Sequence, residues 1–519
     1  MKNSRLINLA IWSLSIIVFL YFSMKFMFFI YDDSFIIYRY AENLAMGYGF
    51  SWNYDGIAEA GFTSYLHTLV IGGAIKLGLD PILFSKILTI ISGVVTITIV
   101  GFILREFTEK KFDYYFLPSL ALAFIPAFGI HSVSGMETIF YVMFFVLSTY
   151  TYTVFLRTNN SKHLAITISF LLITSFTRYE AGLLCVGIIL HQIYLKKFLK
   201  YETSLKTIGF FFIPIFFIGS ILLWNNFYLE QLFPNPFYQK STSEISDLFR
   251  NLDSMASAIV LVIVHVFLIA VSFKEIIRNK QSSYILIQIF VILVPFLFIS
   301  QWGNFLFRYY IPIFPLILAL SFFSFYFLKP KIIQGQKHPK FIILLAIAVV
   351  IFSTVPSNWE VSGFAISFSN SMESTHIKIG KILGNYSELK HNTIATVVDA
   401  GAVPYYSQWR VYDFTFNDRH YSKYGFSADY FYQQNPVILT LNFANSYASD
   451  DLSSLEDNVI NYLKTRGEPW ALHPKFDNFK IVAAYPQILI FMDKEFASKN
   501  PELVQELLDN STHPLNIEN

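Results

Sequence analysis

The chain is poor in charge. Of its 519 residues only 14% are Asp, Glu, Lys or Arg, against 54% apolar and 18% aromatic. Soluble proteins carry about 25% charged residues, so the soluble globular class is excluded. A mean hydropathy of +0.47 points to a polytopic membrane protein instead. Neither sign of charge is in excess: the formal net charge is +2, which gives no case for nucleic acid or an acidic partner. Cysteine is nearly absent. Cys185 stands alone in an apolar run, so no disulfide framework exists and the redox compartment is not readable. The scattered His67, His131 and His420 lack ligand-spaced partners, which removes the sequence case for a zinc site. No internal repeat is evident, which weakens a transporter built from inverted halves.

Long hydrophobic runs are what the chain does have. A hydrocarbon core of roughly 30 Å needs about 20 apolar residues per helix, and on that measure about 11 spans are expected. They fall near residues 6–30, 82–104, 114–130, 136–156, 163–177, 181–195, 207–227, 255–273, 284–300, 305–328 and 341–355. The first follows Lys2 and Arg5 without a small-residue cleavage site and reads as a retained signal anchor. Lys and Arg collect on alternate connections, such as Arg105, Lys110 and Lys111, then Lys196, Lys197 and Lys200, then Lys329 and Lys331. The positive-inside rule puts these loops and the N-terminus in the cytoplasm. Residues 62–79 are apolar but short, and they carry His67, Lys76, Gly72 and Gly73. A crossing there would invert every later loop, so the segment is expected as an amphipathic helix on the outer interface.

From residue 356 the composition becomes mixed. Short β-type runs near 393–398, 410–414, 436–441, 480–484 and 488–492 alternate with helical patterns such as 452–464. That alternation predicts a small α/β domain. The expected architecture is a polytopic α-helical membrane domain over residues 1–355, with a first external loop at 31–80. An extracytoplasmic α/β domain over 356–519 completes it.

The unusual polar residues gather on the outer side. Asp32 and Asp33 follow the first span directly and open a helix expected to end at Gly47 or Gly49, with one of the pair as N-cap. Adjacent helical residues point about 100° apart, so one carboxylate is expected to work and the other to cap or orient. Ser134-Gly135-Met136-Glu137-Thr138 opens a span with a carboxylate, and Thr177-Arg178-Tyr179-Glu180 interrupts an apolar run at a depth where charge points to function. Leu232–Lys240 is a proline-set loop containing Asn235, and residues 301–308 bring Trp302 and Arg308 to the outer interface. Arg178, Lys240 and Arg308 could together hold a lipid phosphate, because guanidinium groups match its oxygens bidentately. The plainer alternative pairs Arg178 with Glu137 or Glu180 and lets Arg308 snorkel to headgroups.

The run from Asp32 to Asn53, continued by Glu59-Ala60-Gly61-Phe62-Thr63-Ser64-Tyr65-Leu66, resembles the first external loop of bacterial GT-C superfamily glycosyltransferases. The likeness is to the arabinofuranosyltransferase-like enzymes that use polyprenyl-phosphate sugars. The segments at Glu137, Arg178, Asn235 and Arg308, and Asp399-Ala400-Gly401-Ala402-Val403-Pro404-Tyr405-Tyr406-Ser407, resemble later motifs of that family in the same order. The resemblance implies an Asp of the first-loop pair acting as base or divalent-metal ligand, carried here onto Asp32 with Asp33 beside it. Glu137, Glu180, Asn235 and Trp302 would support the site. It also implies that the C-terminal domain helps bind the acceptor. Asp399, Tyr405, Tyr406 and Asp418 fall at or beyond strand ends, where a glycan could lie, or serve as turn and cap residues. The expected activity is inverting transfer of a sugar from a polyprenyl-phosphate donor to a hydroxyl of a cell-envelope glycan, such as O-antigen, lipopolysaccharide or arabinan. Its expected place is the outer face of a bacterial inner membrane. The alternative is a transporter or flippase of lipid-linked sugars.

Overall fold

The computed structural model describes residues 2–202, 204–240, 245–298, 304–333, 347–348, 358–397, 399–414, 417–442 and 452–511. Among them four helices are long and apolar enough to cross a membrane: Ser4–Lys25, Pro81–Phe107, Thr138–Thr158 and Leu205–Tyr228. A fifth crossing results if Phe249–Val260 and Ile263–Val271, bent by 83°, act as one span. Ser161–Thr177, Lys280–Leu293 and Phe314–Pro330 are shorter apolar helices. The expected span at 341–355 lies outside the described residues except for 347–348, and Trp302 lies outside them as well.

The chain begins with α1 (Lys2–Lys25), α2 (Asp32–Met46), α3 (Tyr65–Lys76) and α4 (Pro81–Phe107). Next come α5 (Leu117–Ala123), α6 (Pro126–His131), α7 (Thr138–Thr158), α8 (Ser161–Thr177) and α9 (Ala181–Lys197). The expected single span at 114–130 is two short helices. Pro126 has no N–H to donate and biases Ile125 to extended backbone, φ −87° and ψ 103°, which breaks the helix there. α7 packs along both α4 and α8, and α1 lies against α4, α5 and α6. Gly93 of α4 faces the Phe19 ring so closely that a methyl group would collide with it. Small residues of this kind let membrane helices approach.

α2 is the pivot between the two halves of the molecule. Its first-turn carboxylates suit the positive end of the helix dipole, and its end is set by Gly47 at φ 92°, whose N–H reaches back to Asn43 and Leu44. The N-cap is Tyr31, with no side-chain cap, so neither aspartate takes the capping role foreseen for one of them. α2 is buried on nearly all sides, Ser34 to Ala41 without interruption. One side meets α3; another meets the short helix Ala402–Ser407.

Beyond residue 358 five strands form one sheet: β1 (Thr393–Val397), β2 (Arg410–Asp413), β3 (Pro436–Asn442), β4 (Phe479–Ala484) and β5 (Ile488–Asp493). The order is β2-β1-β3-β5-β4, with β2, β1 and β3 parallel and β5 antiparallel to both neighbours. Alternate side chains feed two cores, as the two-residue repeat of a strand requires. Ile394, Ile438 and Ile490 join the core that continues into the helical half. Ala395, Leu439 and Phe491 pack with Tyr412 and Trp470 on the other face.

Candidate functional site

A cavity of about 400 Å³ opens beside the start of α2. Its walls are apolar, from Ile36, Phe62, Leu183, Leu222, Phe233 and Phe237. Asp33, Glu137, Arg178, Glu180 and Arg308 bring charge to this otherwise apolar lining. Arg178 donates to Glu137 Oε1 at 2.7 Å and to Glu180 Oε1 at 2.7 Å. Arg308 Nη1 donates to Asp33 Oδ2 at 3.2 Å, and its Nη2 lies 3.7 Å from Glu137 Oε1. Arg178 therefore has both partners of the plainer reading, whereas Arg308 turns inward instead of snorkelling. Glu137 is buried between the two guanidiniums.

Two features of this network bear on what it could bind. Among the described residues Arg308 Nε and Glu137 Oε2 are buried without a hydrogen-bond partner, and an unmet buried donor or acceptor costs roughly 1–3 kcal/mol. The ionised forms of Asp33, Glu137 and Glu180 also outnumber the two guanidiniums by one, so an arriving anion must displace a carboxylate or bring a further cation. Lys240 ends the helix Asn235–Lys240, and its side chain is outside the described part of the molecule. Asn235 is buried between Pro234 and Pro236 of the cavity lining, its N–H bonded to Ala60 O at 3.0 Å and its side chain paired with Gln231.

The two aspartates part company here. Asp33 lines the cavity with a side chain 40% exposed. Asp32 is only 6% exposed and points to the C-terminal ends of the parallel strands. Its Oδ2 accepts the Gly401 N–H at 2.7 Å and its Oδ1 the Ala402 N–H at 2.7 Å. Gly401 lies so close to the Asp32 backbone and carboxylate that any Cβ would collide with them. The crevice at which parallel sheets bind ligands, where the strand order reverses beside β1, is thus filled by a side chain of this same protein. Burial raises the Asp32 pKa against the pull of His376. Burial alone would lower the His376 imidazole, but Asp399, 3.4 Å away, and then Asp32 raise it instead. Both Asp32 oxygens are engaged by backbone amides and His376 is paired with Asp399, so these residues do not fit the divalent metal left open at Asp32.

The residues expected to meet an acceptor also divide. Asp399 pairs with His376 and takes a hydrogen bond from Asn442. Tyr405 and Tyr406 lay their rings against Phe35 of α2, at 5.3 and 5.4 Å between centroids. Asp418 caps the helix Arg419–Tyr424 by accepting the Tyr421 N–H at 2.6 Å, and it lines a second, polar chamber.

Sequence reasoning missed the residues that join the halves. The buried Arg39 donates to Trp52 O at 2.8 Å, to Trp409 O at 2.7 Å and to Pro404 O, with its guanidinium over the Trp52 ring. Asn53 pairs with both backbone groups of Val411 at 2.9 Å and so closes the edge of β2. An Arg inside the apolar run 35–41 of α2 was the available signal for Arg39. His376 and Asn53 carry none.

No family model and no curated protein matches the chain. Solved structures do. ArnT from Cupriavidus metallidurans bound to undecaprenyl phosphate matches with a TM-score of 0.57 at 12% identity, covering 92% of this chain and 97% of that one. The apo oligosaccharyltransferase of Archaeoglobus fulgidus matches with a TM-score of 0.53 at 11% identity, over 84% of this chain and 69% of that one. AglB of the same archaeon, in complex with an inhibitory peptide and a dolichol-phosphate, gives 0.51 at 11% identity, over 87% and 70%. The chain has the fold of these proteins.

Proposed function

We propose that this chain is an inverting glycosyltransferase that moves a sugar from a polyprenyl-phosphate carrier to a hydroxyl of a cell-envelope glycan, at the outer face of a bacterial inner membrane. The observation that carries the reading is the cavity at Asp33: apolar walls suited to an isoprenoid, with paired arginines and one unmatched guanidinium N–H suited to its phosphate. The structural neighbours with undecaprenyl phosphate and dolichol-phosphate support the same class of carrier.

In this reading the carrier's phosphate takes over Arg308, and Lys240 supplies the cation that the network lacks. That exchange releases Asp33 from its ion pair. Asp33 then accepts the proton of the acceptor hydroxyl while the hydroxyl oxygen attacks the anomeric carbon from the face opposite the phosphate. The carbon–oxygen bond to phosphate breaks, its electron pair leaves with the polyprenyl phosphate, and the anomeric centre inverts. Base assistance of this kind contributes about 10²–10⁴ in rate, and charge stabilisation of the departing phosphate acts beside it. Asp32 is a positioning residue: its bonds to Gly401 and Ala402 fix the first turn of α2 and hence the direction of Asp33.

The test uses purified protein in lipid nanodiscs with a radiolabelled polyprenyl-phosphate sugar and isolated envelope glycan. Transfer of label with release of free polyprenyl phosphate is expected. Movement of intact carrier across a bilayer, with no bond cleaved, would replace the transferase by a flippase.

A further inference from the structure

A second chamber, of about 330 Å³, lies between the first loop and the sheet, and nothing in the donor reaction uses it. Glu59 lines this chamber and Gly61 lines the apolar cavity, so a single residue, Ala60, separates the two. The Asn235 N–H bonded to Ala60 O at 3.0 Å holds that partition in place.

The lining of the chamber is rich in acceptors that lack donors. Asp413 Oδ2 accepts both the N–H and the side-chain amide of Asn417, at 2.9 and 2.8 Å, and this fixes the amide so that Asn417 Oδ1 is left buried without a partner. Asn417 is only 2% exposed. Glu59 Oε2 and His420 Nδ1 are likewise buried with no partner among the described residues. The cations, by contrast, are spoken for. Arg410 lies 3.8 Å from Asp55, while Arg419 and Lys423 each lie 3.4 Å from Glu230. Among the described residues an anionic ligand finds no spare positive charge here. Aromatic surface completes the site: His420 stacks on Tyr430 at 3.7 Å, and Tyr424, next to His420, is 75% exposed.

Carboxyl groups outnumber cations in the lining, Asp55, Glu59, Glu230, Asp413 and Asp418 against Arg410, Arg419 and Lys423, which disfavours an anion. Unmet acceptors and an open aromatic face suit a polyol with an apolar flank. We propose that this chamber is a carbohydrate subsite, in which Asn417, Glu59 and His420 receive the hydroxyls of a neutral sugar unit and Tyr424 covers its ring. The proposal rests on the glycosyl-transfer reading in taking that sugar as part of the acceptor. Burial, followed by the charges of Asp418 and Asp55, drives the Glu59 carboxyl well above its ordinary range, which also lets it act as a hydroxyl partner without a fixed charge.

Saturation-transfer NMR on the full chain in nanodiscs tests this, with methyl glycosides of glucose, galactose, mannose and arabinofuranose, and with glucuronate and glucosamine as charged counterparts. At least one neutral glycoside is expected to bind with millimolar affinity. Tyr424→Ala at the exposed edge and Asn417→Leu in the lining should each weaken that binding by about fivefold or more. The subsite is overturned if no neutral glycoside binds at about 50 mM. It is overturned equally if only charged sugars bind, or if binding ignores both substitutions. Turnover of labelled donor is scored separately. Transfer without glycoside binding rejects the chamber alone, whereas glycoside binding without transfer rejects the transferase reading and leaves the chamber standing.

Discussion

The cavity at Asp33 and the crevice at Asp32 start from adjacent residues, yet they are built of different materials. The cavity is apolar-walled, and its charges are side chains paired with one another across α2, α7, the turn before α9 and the segment at Arg308. The crevice is a set of backbone amides at the end of β1, closed by a carboxylate from α2 and backed by His376 and Asp399. Side-chain pairs in the first can exchange partners when a ligand arrives. Backbone amides in the second cannot rotate away, so the contact is a fixed latch. The difference teaches that one aspartate is left facing a cavity because its neighbour is held in the latch.

The largest expected effect on the fold comes from breaking the latch directly. Gly401→Val drives a branched side chain into the Asp32 backbone and carboxylate, and no rotamer avoids the clash. Release of the sheet-bearing half on limited proteolysis is expected, with transfer falling to about 1% or less, given that such overpacking costs roughly 1–3 kcal/mol or more.

Arg308→Gln attacks the cavity instead. It leaves Asp33 without its ion pair and removes the donor proposed for the phosphate. A loss of about 10²–10³ in transfer is expected, with unaltered protease resistance at the sheet.

A smaller effect is expected from pH at the latch. His376 holds its proton more tightly folded than unfolded, so its contribution is full below about 6.5 and is lost as pH rises through the raised folded value. Hydrogen exchange at the Gly401 and Ala402 amides, corrected for intrinsic rates, should accelerate across that upper range. In His376→Gln this dependence should shrink to what Asp32, whose pKa burial also raises, contributes by itself.

The mildest change is Tyr406→Ala. It removes one ring from the contact with Phe35, worth about 0.5–1.5 kcal/mol beyond buried area. A melting temperature lowered by a few degrees, with transfer largely retained, is expected.

Much of this arrangement was legible in advance where local rules decide. Gly47 ends α2 because the chain needs a left-handed residue there, and the five β-type runs pair because alternating apolar residues need two faces to bury. The residues of the ion network were visible as charges inside apolar runs. The direction of each aspartate was not. Asp32 was the expected base, but its direction is set by Gly401 and Ala402, 369 and 370 residues later in the chain, and no local pattern encodes that contact. The polar chamber was hidden for the same reason, since Glu59 and Asn417 meet it from opposite halves. The break at Pro126 was readable from proline chemistry, but hydropathy alone passed over it.

The central claim is that Asp33, and not Asp32, accepts the proton. Asp33→Asn and Asp32→Asn should therefore be compared for release of polyprenyl phosphate and for amide exchange at Gly401 and Ala402. The account predicts that Asp33→Asn lowers release by about 10²–10⁴ with those amides as protected as in the unsubstituted protein, while Asp32→Asn exposes them. Undiminished release from Asp33→Asn would contradict it.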